Sequence, residues 1–314
     1  MPAHHFIRPY CTVAPPTVQY GRISWRSGWN RATRGRTAGI MGTMSRSAFT
    51  THTAHVNDID LAYTDEGQGT PLVLLHGHAY DRSMWDGQVK AFSERGWRVI
   101  APDLRGFGES EVTPGIVYTE EFVADVIALL DELGIQQTVL LGFSMAGQAA
   151  MQLVESHPER VSALIINDTV PQAEDAAGRR RRHVAADGIV SGGMDSYGQA
   201  VLPKMMWEEN VERLPEVAKT VLEMIQAAPL EGATAAMRGR AERNDFVETL
   251  KAFDKPALVI AGDHDAFDGG AAQRMTELLP HGELAVISNS GHTPNMENPT
   301  EFDAALGAFL GKLT

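Results

Sequence analysis

Apolar residues in this chain gather into two kinds of run that take turns. Short unbroken runs, Pro71 to Leu75, Trp97 to Ala101, Val139 to Leu141, Ala163 to Asn167, Pro256 to Ala261 and Leu284 to Ile287, fit strands buried on both faces. Between them apolar positions recur at helical spacing: Met84 to Glu94, Glu120 to Leu133 with Gly134 as its stop, Met145 to Val154 ahead of Pro158, Ala271 to Leu279, and Pro299 to Leu310. Alternation around Val56, Ile59, Leu61 and Tyr63, broken at Asn57-Asp58, reads as a hairpin of two antiparallel strands within Thr53 to Asp65. The pattern predicts an α/β fold: a mostly parallel eight-stranded sheet with helices on both faces.

The alternation lapses from Thr169 to Phe253, where short helical patterns such as Val211 to Ala228 occur without a convincing strand. An insertion of about 80 residues in a regular α/β chain reads as a lid, here a helical cap over about 170–253, placed before the last two strands. Residues 1–50 are rich in Arg, Ser, Thr, Pro and Gly without a hydrophobic period, and read as a disordered leader ahead of a domain spanning 51–314. That leader is either a targeting segment or the product of a start codon assigned upstream of Met41 or Met44.

Charge sharpens this division. All 40 acidic residues lie beyond residue 50, against 20 of the 27 basic ones, so the body carries −20 while the leader holds seven arginines. Such a surface repels nucleic acid and anionic membranes, and no stretch approaches the ~18 apolar residues of a membrane span. The one cysteine, Cys11, lies in the leader, so the body has neither disulfides nor cysteine metal sites, and a reducing, cytoplasmic compartment is expected.

One strand ends on a serine. Val139 to Leu141 runs through Gly142-Phe-Ser-Met-Ala146 into a helix, placing Ser144 at the apex of a sharp turn that demands small residues two before and two after it. This resembles the nucleophile elbow, G-x-S-x-G, of the α/β-hydrolase superfamily, with Ala146 in place of the last glycine. The resemblance covers about 53–312 and extends to Gly-x-x-Asp ending at Asp265 and Ser-Gly-His ending at His292, in the superfamily's chain order of serine, acid and histidine. It implies a catalytic Ser144, Asp265 and His292, with an oxyanion hole from the backbone N–H groups of His78 and Met145. Asp168, after the strand that follows the elbow helix, is the runner-up acid; Asp263, directly after Gly262, is expected to bond loop amides instead.

Other patterns take plainer readings. His76-x-His78-x-x-Asp81 misses the spacing of the metallo-hydrolases, so no metal is assigned; His76 serves its turn, and the His78 imidazole is passive. Asp103-Leu-Arg-Gly-Phe-Gly-Glu-Ser110 holds turns together, and Arg179 to Arg182 reads as a solvated face. Met194, Met205, Met206, Met224 and Met237 are either core filler or an apolar pocket wall, and with Trp207 they suggest a preference for apolar acyl groups. The resemblance, nearest the serine esterase and non-haem haloperoxidase-like branch, implies a serine hydrolase of esters or related activated carbonyls, with a small-molecule substrate and no cofactor. Lactonases, carbon–carbon bond hydrolases and perhydrolases share the pattern, as does a ligand-binding receptor on a hydrolase scaffold.

Overall fold

The structure, a computed structural model, describes residues 47–313; the leader expected over 1–50, apart from its last four residues, and Cys11 lie outside the described residues. Ser47 Oγ and the Ala48 amide donate to the two carboxylate oxygens of Asp86, each at 2.7 Å, so the chain is tied to the domain from there on.

Strands β1 (His52–Val56) and β2 (Ile59–Glu66) form the expected hairpin. Its turn holds Asn57 and Asp58 at φ 47° and 61°, the left-handed conformation that short polar side chains tolerate. β3 (Thr70–Leu75), β4 (Trp97–Pro102), β5 (Thr138–Phe143), β6 (Val161–Asn167), β7 (Ala257–Gly262) and β8 (Gly282–Ile287) complete one eight-stranded sheet in the order β1-β2-β4-β3-β5-β6-β7-β8. β2 pairs antiparallel with both β1 and β4, and the rest are parallel. All six residues of β5 are buried, as are all six of β7, which is what unbroken apolar runs require.

Sheet order decides where the helices go. α1 (Asp86–Ser93), reached through a 3₁₀ turn at Arg82–Trp85, connects β3 to β4 toward one edge, whereas α2 (Thr119–Glu132), α3 (Met145–Ser156) and, further on, the crossover from β7 to β8 run toward the other. Right-handed crossovers therefore set α1 on one face and α2 and α3 on the opposite one. The direction reverses between β3 and β5, and a crevice opens at their carboxyl ends, the place where open α/β sheets bind ligands.

Between β6 and β7 the chain forms α4 (Ala176–Met205, interrupted at Gly193), α5 (Glu208–Arg213), α6 (Pro215–Ala227), α7 (Leu230–Arg240) and α8 (Val247–Ala252), with no strand among the described residues of that stretch. The helical pattern over Val211 to Ala228 is split, because Pro215 has no N–H to continue α5 and instead opens α6 at its first position. The segment leaves and returns at one neck: the Phe246 amide donates to Pro171 O at 2.8 Å, and Arg243 Nε donates to Gln172 O at 2.8 Å. After β7 come α9 (Ala271–Leu278), α10 (Pro294–Glu297), a short turn inside what the pattern marked as loop, and α11 (Pro299–Leu310).

The Asp103 loop holds turns as expected. The Asp103 carboxylate is fully buried, accepts from the Arg82 and Glu109 amides at 2.7 and 2.8 Å, and pairs with the Arg82 guanidinium.

Candidate active site

β5 delivers Ser144 to the mouth of the crevice. Its backbone sits at φ 52° and ψ −110°, a strained conformation for a residue with a side chain, held by the chain on either side and by β6. The Ser144 amide donates to Asn167 O at 2.9 Å, and Thr169 Oγ1 donates to Ser144 O at 2.7 Å. A Cβ on Gly142 would overlap the Ala146 carbonyl, so strand and helix cross at contact distance; Ala146, which stands where the motif has its last glycine, is fully buried.

The fold brings Ser144, His292 and Asp265 together. His292 Nε2 lies 2.9 Å from Ser144 Oγ, and its Nδ1 lies 3.1 Å from Asp265 Oδ1. Because a carboxylate only accepts, the Nδ1 proton faces Asp265, and Nε2 is left as an acceptor for the serine hydroxyl. Both side chains are nearly fully enclosed, and Phe143 and Phe267 pack on the imidazole at 5.0 and 4.8 Å between ring centres. Asp263 accepts from the Ser290 amide at 3.1 Å, as expected of a residue so close to the strand end.

Asp168 does not bond His292. Its carboxyl accepts from the Gly262 amide at 3.1 Å and from the Asn167 side-chain amide, and lies beside Asp265, with one oxygen of each acid and one His292 ring nitrogen all within 4.8 Å of one another. Burial, then the Asp265 charge, pushes Asp168 well above the usual carboxylate range. Burial also acts to raise Asp265, but the His292 charge and hydrogen bonds to His292 and the Phe267 amide together hold it below that range.

Of the two residues whose backbone N–H groups are expected to form the oxyanion hole, Met145 directly follows Ser144 and His78 lines the same cavity as the serine. Neither N–H donates in a turn, loop or cap hydrogen bond among the described residues, and Met145 opens α3, where the first N–H groups lack helical partners. The His78 ring bridges two helices: its Nε2 lies 2.8 Å from Ala233 O on α7, and Tyr197 Oη on α4 lies 3.4 Å from its Nδ1. Burial, then the charge of Arg240, lowers its pKa to about 3, so the ring is neutral. His76 is likewise neutral, lowered to about 4 by burial; its Nδ1 lies 2.8 Å from Gly77 O, and its Nε2 accepts from the Leu104 amide at 2.9 Å. Asp81 caps the 3₁₀ turn through the Ser83 amide, so His76, His78 and Asp81 each have separate structural work.

A family model described as alpha/beta hydrolase fold matches residues 70–299. The chain belongs to the α/β-hydrolase family. A Synechocystis sp. protein provisionally named a non-heme chloroperoxidase is 31% identical over 80% of this chain and 95% of its own length. An Acinetobacter baylyi protein named 3-oxoadipate enol-lactonase 2 is 29% identical over 82% of this chain and 96% of its own. Among solved structures, a thermophilic esterase from Thermogutta terrifontis, determined with malate bound, superposes with a TM-score of 0.80 at 33% identity, covering 84% of this chain and 98% of that one.

In this α/β-hydrolase the serine opens into a cavity of about 550 Å³, roofed by α4 and α7. Met205 and Met237 line it, while Met194, Met206 and Met224 are buried core. Trp207 is turned away and stacks on His264 at 4.0 Å. The basic run divides: Arg179 and Arg180 are exposed outside the cavity, whereas Arg181 and Arg182 line it. Sequence patterning missed Arg240 and Arg243, which line it too, and Glu174, whose Oε1 accepts from both Arg182 and Arg243 at 2.8 Å. It also missed Glu297, which accepts from the amides of Gly291 and Thr293 on either side of His292 and from Asn210 and the Trp207 amide, fastening the histidine loop to the inserted helices. Glu297 is spaced from His292 in the sequence like any helix-start acid, so only the three-dimensional closure reveals it.

Proposed function

We propose that this α/β-hydrolase is a serine hydrolase that cleaves carboxylic esters or related activated carbonyls of small molecules through an acyl-enzyme. The observation that carries this reading is the continuous chain Ser144 Oγ, His292, Asp265, with contacts of 2.9 and 3.1 Å beside an open cavity. Ser144 Oγ attacks the carbonyl carbon as its proton passes to His292 Nε2, and Asp265 stabilises the imidazolium. The tetrahedral oxyanion is received by the N–H groups of His78 and Met145. His292 then returns the proton to the departing alkoxide, and the same base activates the water that releases the acid. The helices between β6 and β7 act as the lid, which keeps bulk water from the oxyanion. The cytoplasm is the compartment this reading assigns; no helix among the described residues is long and apolar enough to cross a membrane.

The test is a fluorophosphonate together with a p-nitrophenyl ester. One adduct per chain, lost in Ser144→Ala, and multiple turnover lost with it are the expected results. Labelling without turnover identifies a receptor on this scaffold, and turnover that persists in purified Ser144→Ala removes the serine mechanism.

A further inference from the structure

The cavity above Ser144 gathers positive charge in a domain that is acidic as a whole. Three guanidinium groups, those of Arg182, Arg240 and Arg243, meet there around one carboxylate, Glu174. Arg182 and Arg243 both bond to Glu174 Oε1 at 2.8 Å, and Arg243 also donates to Gln172 O. Arg240 is different. Only 8% of it is exposed, yet its guanidinium makes no ion pair and no hydrogen bond among the described residues, and its buried Nε is without a partner. Exposed Arg181 and Lys204 line the same cavity and add to the excess of positive charge.

A guanidinium does not shed its proton to relieve such a position, and leaving a buried charge uncompensated is costly. Three cations against one anion leave a counter-ion missing, and the group with no partner faces the space that the reacting serine also faces. Carboxylate geometry suits the vacancy, since a planar fork of N–H donors matches the two oxygens. Met237, Val201 and Ala185 line the space as well, and provide apolar contact for a short carbon stem.

We propose that the substrate is an ester or lactone that carries a free carboxylate, which Arg240, flanked by Arg182 and Arg243, pairs with while the reacting carbonyl lies at Ser144. This rests on the hydrolase reading and narrows it to a substrate class. It also replaces the apolar acyl preference that the methionines and Trp207 suggest from sequence, because three of those five methionines and the tryptophan do not line the cavity.

The experiment compares length-matched pairs: mono-p-nitrophenyl glutarate against p-nitrophenyl valerate for a carboxylate on the acyl side, and O-butyrylglycolate against ethyl butyrate, followed by pH-stat, for one on the alcohol side. In at least one pair the wild type is expected to favour the anion in kcat/KM by about tenfold or more, and Arg240→Met to lower that ratio by about 100-fold, the scale of losing one partner of a desolvated charge pair. Arg180→Gln, exposed outside the cavity, leaves the ratio unchanged. If Arg240→Met does not fold, glutarate against the neutral valeramide as competitive inhibitors of the wild type decides the matter, with glutarate expected to bind more tightly. Calorimetric titration of glutarate into Ser144→Ala reads the same site without turnover. Neutral substrates favoured in both pairs, with glutarate no better than valeramide, overturn the proposal while leaving the hydrolase intact; glutarate binding with no turnover of any ester overturns the hydrolase reading and leaves the carboxylate site.

Discussion

Asp168 and Asp265 end neighbouring strands and bring their carboxyl groups together beside His292, yet only Asp265 bonds the imidazole. Two acids so close do not both ionise in a buried setting. Burial and the Asp265 charge push Asp168 toward its protonated form, while the His292 charge and hydrogen bonds hold Asp265 toward its carboxylate. The two positions that sequence left in competition are thus pushed in opposite directions by their surroundings.

That division predicts unequal mutants. Asp265→Asn should lower kcat by about 10⁴ with the fold intact, because an amide favours the wrong imidazole tautomer. Asp168→Asn and Asp263→Asn should cost far less. Steady-state kinetics with circular dichroism on the three variants checks this, and a crippled Asp168→Asn beside an active Asp265→Asn would reverse the assignment.

Asp168 also predicts a pH dependence of stability. Its folded pKa is raised, so its contribution is fully present below the unfolded value of about 3.9 and is lost as pH rises toward the folded one. Over that window the unfolded chain releases a proton that the folded chain keeps, at about 1.4 kcal/mol per pH unit. Asp168→Asn lacks this term, so its Tm relative to wild type should rise steadily from pH 4 upward. Parallel Tm curves for the two proteins would show that Asp168 is ionised in the fold.

The neutral histidines act in the opposite direction. His76 and His78 have folded pKa values lowered to about 4 and about 3, so the stability they support is present above the unfolded value of about 6.5 and falls as pH drops below it. Thermal melts from pH 7 to pH 4 should show a steep loss, less steep in His76→Asn, where an amide can still accept from the Leu104 amide. An equal slope in both proteins would place the acid sensitivity elsewhere.

The elbow makes a steric prediction. Ala146→Gly restores the familiar motif but only adds backbone freedom to α3, and should lower stability by about 1 kcal/mol with activity within a few-fold. Gly142→Ala drives a methyl into the Ala146 carbonyl and should cost about 1–3 kcal/mol with a large loss of kcat, as the nucleophile is displaced. Denaturant titration and turnover of the two variants separate these outcomes.

Sequence could bring Ser144, Asp265 and His292 forward as candidates because each follows a strand in a local motif whose order along the chain is itself a signal, and the structure places their side chains in contact. Asp168 was visible as a candidate but not its state, which depends on the register that sets Asn167 beside Ile260 and so brings two strand ends level. The break at Pro215 was readable from the missing N–H, yet the apolar period ran across it. Arg240 was least legible: in the local sequence Arg238, Arg240 and Arg243 look like one solvated face, and only the packing of α4 against α7, with the Glu174 and Gln172 contacts of Arg243, separates half-buried Arg238 from its buried neighbours.

The neck at Pro171 and Phe246 has an evolutionary meaning. Both ends of the helical insertion meet across hydrogen bonds from Phe246 to Pro171 and from Arg243 to Gln172, and β6 and β7, the strands that flank the insertion, pair with each other. A recombination that exchanged the stretch between them would retain the strands bearing Ser144, Asp168, Asp265 and His292 while replacing Arg182, Arg240, Arg243 and Glu174 as a unit, and the incoming stretch would have to supply new partners for Glu297 in place of Asn210 and the Trp207 amide. If the proposed roles hold, reactivity and selectivity sit on separate blocks of chain, and one genetic exchange could change the substrate without rebuilding the nucleophile.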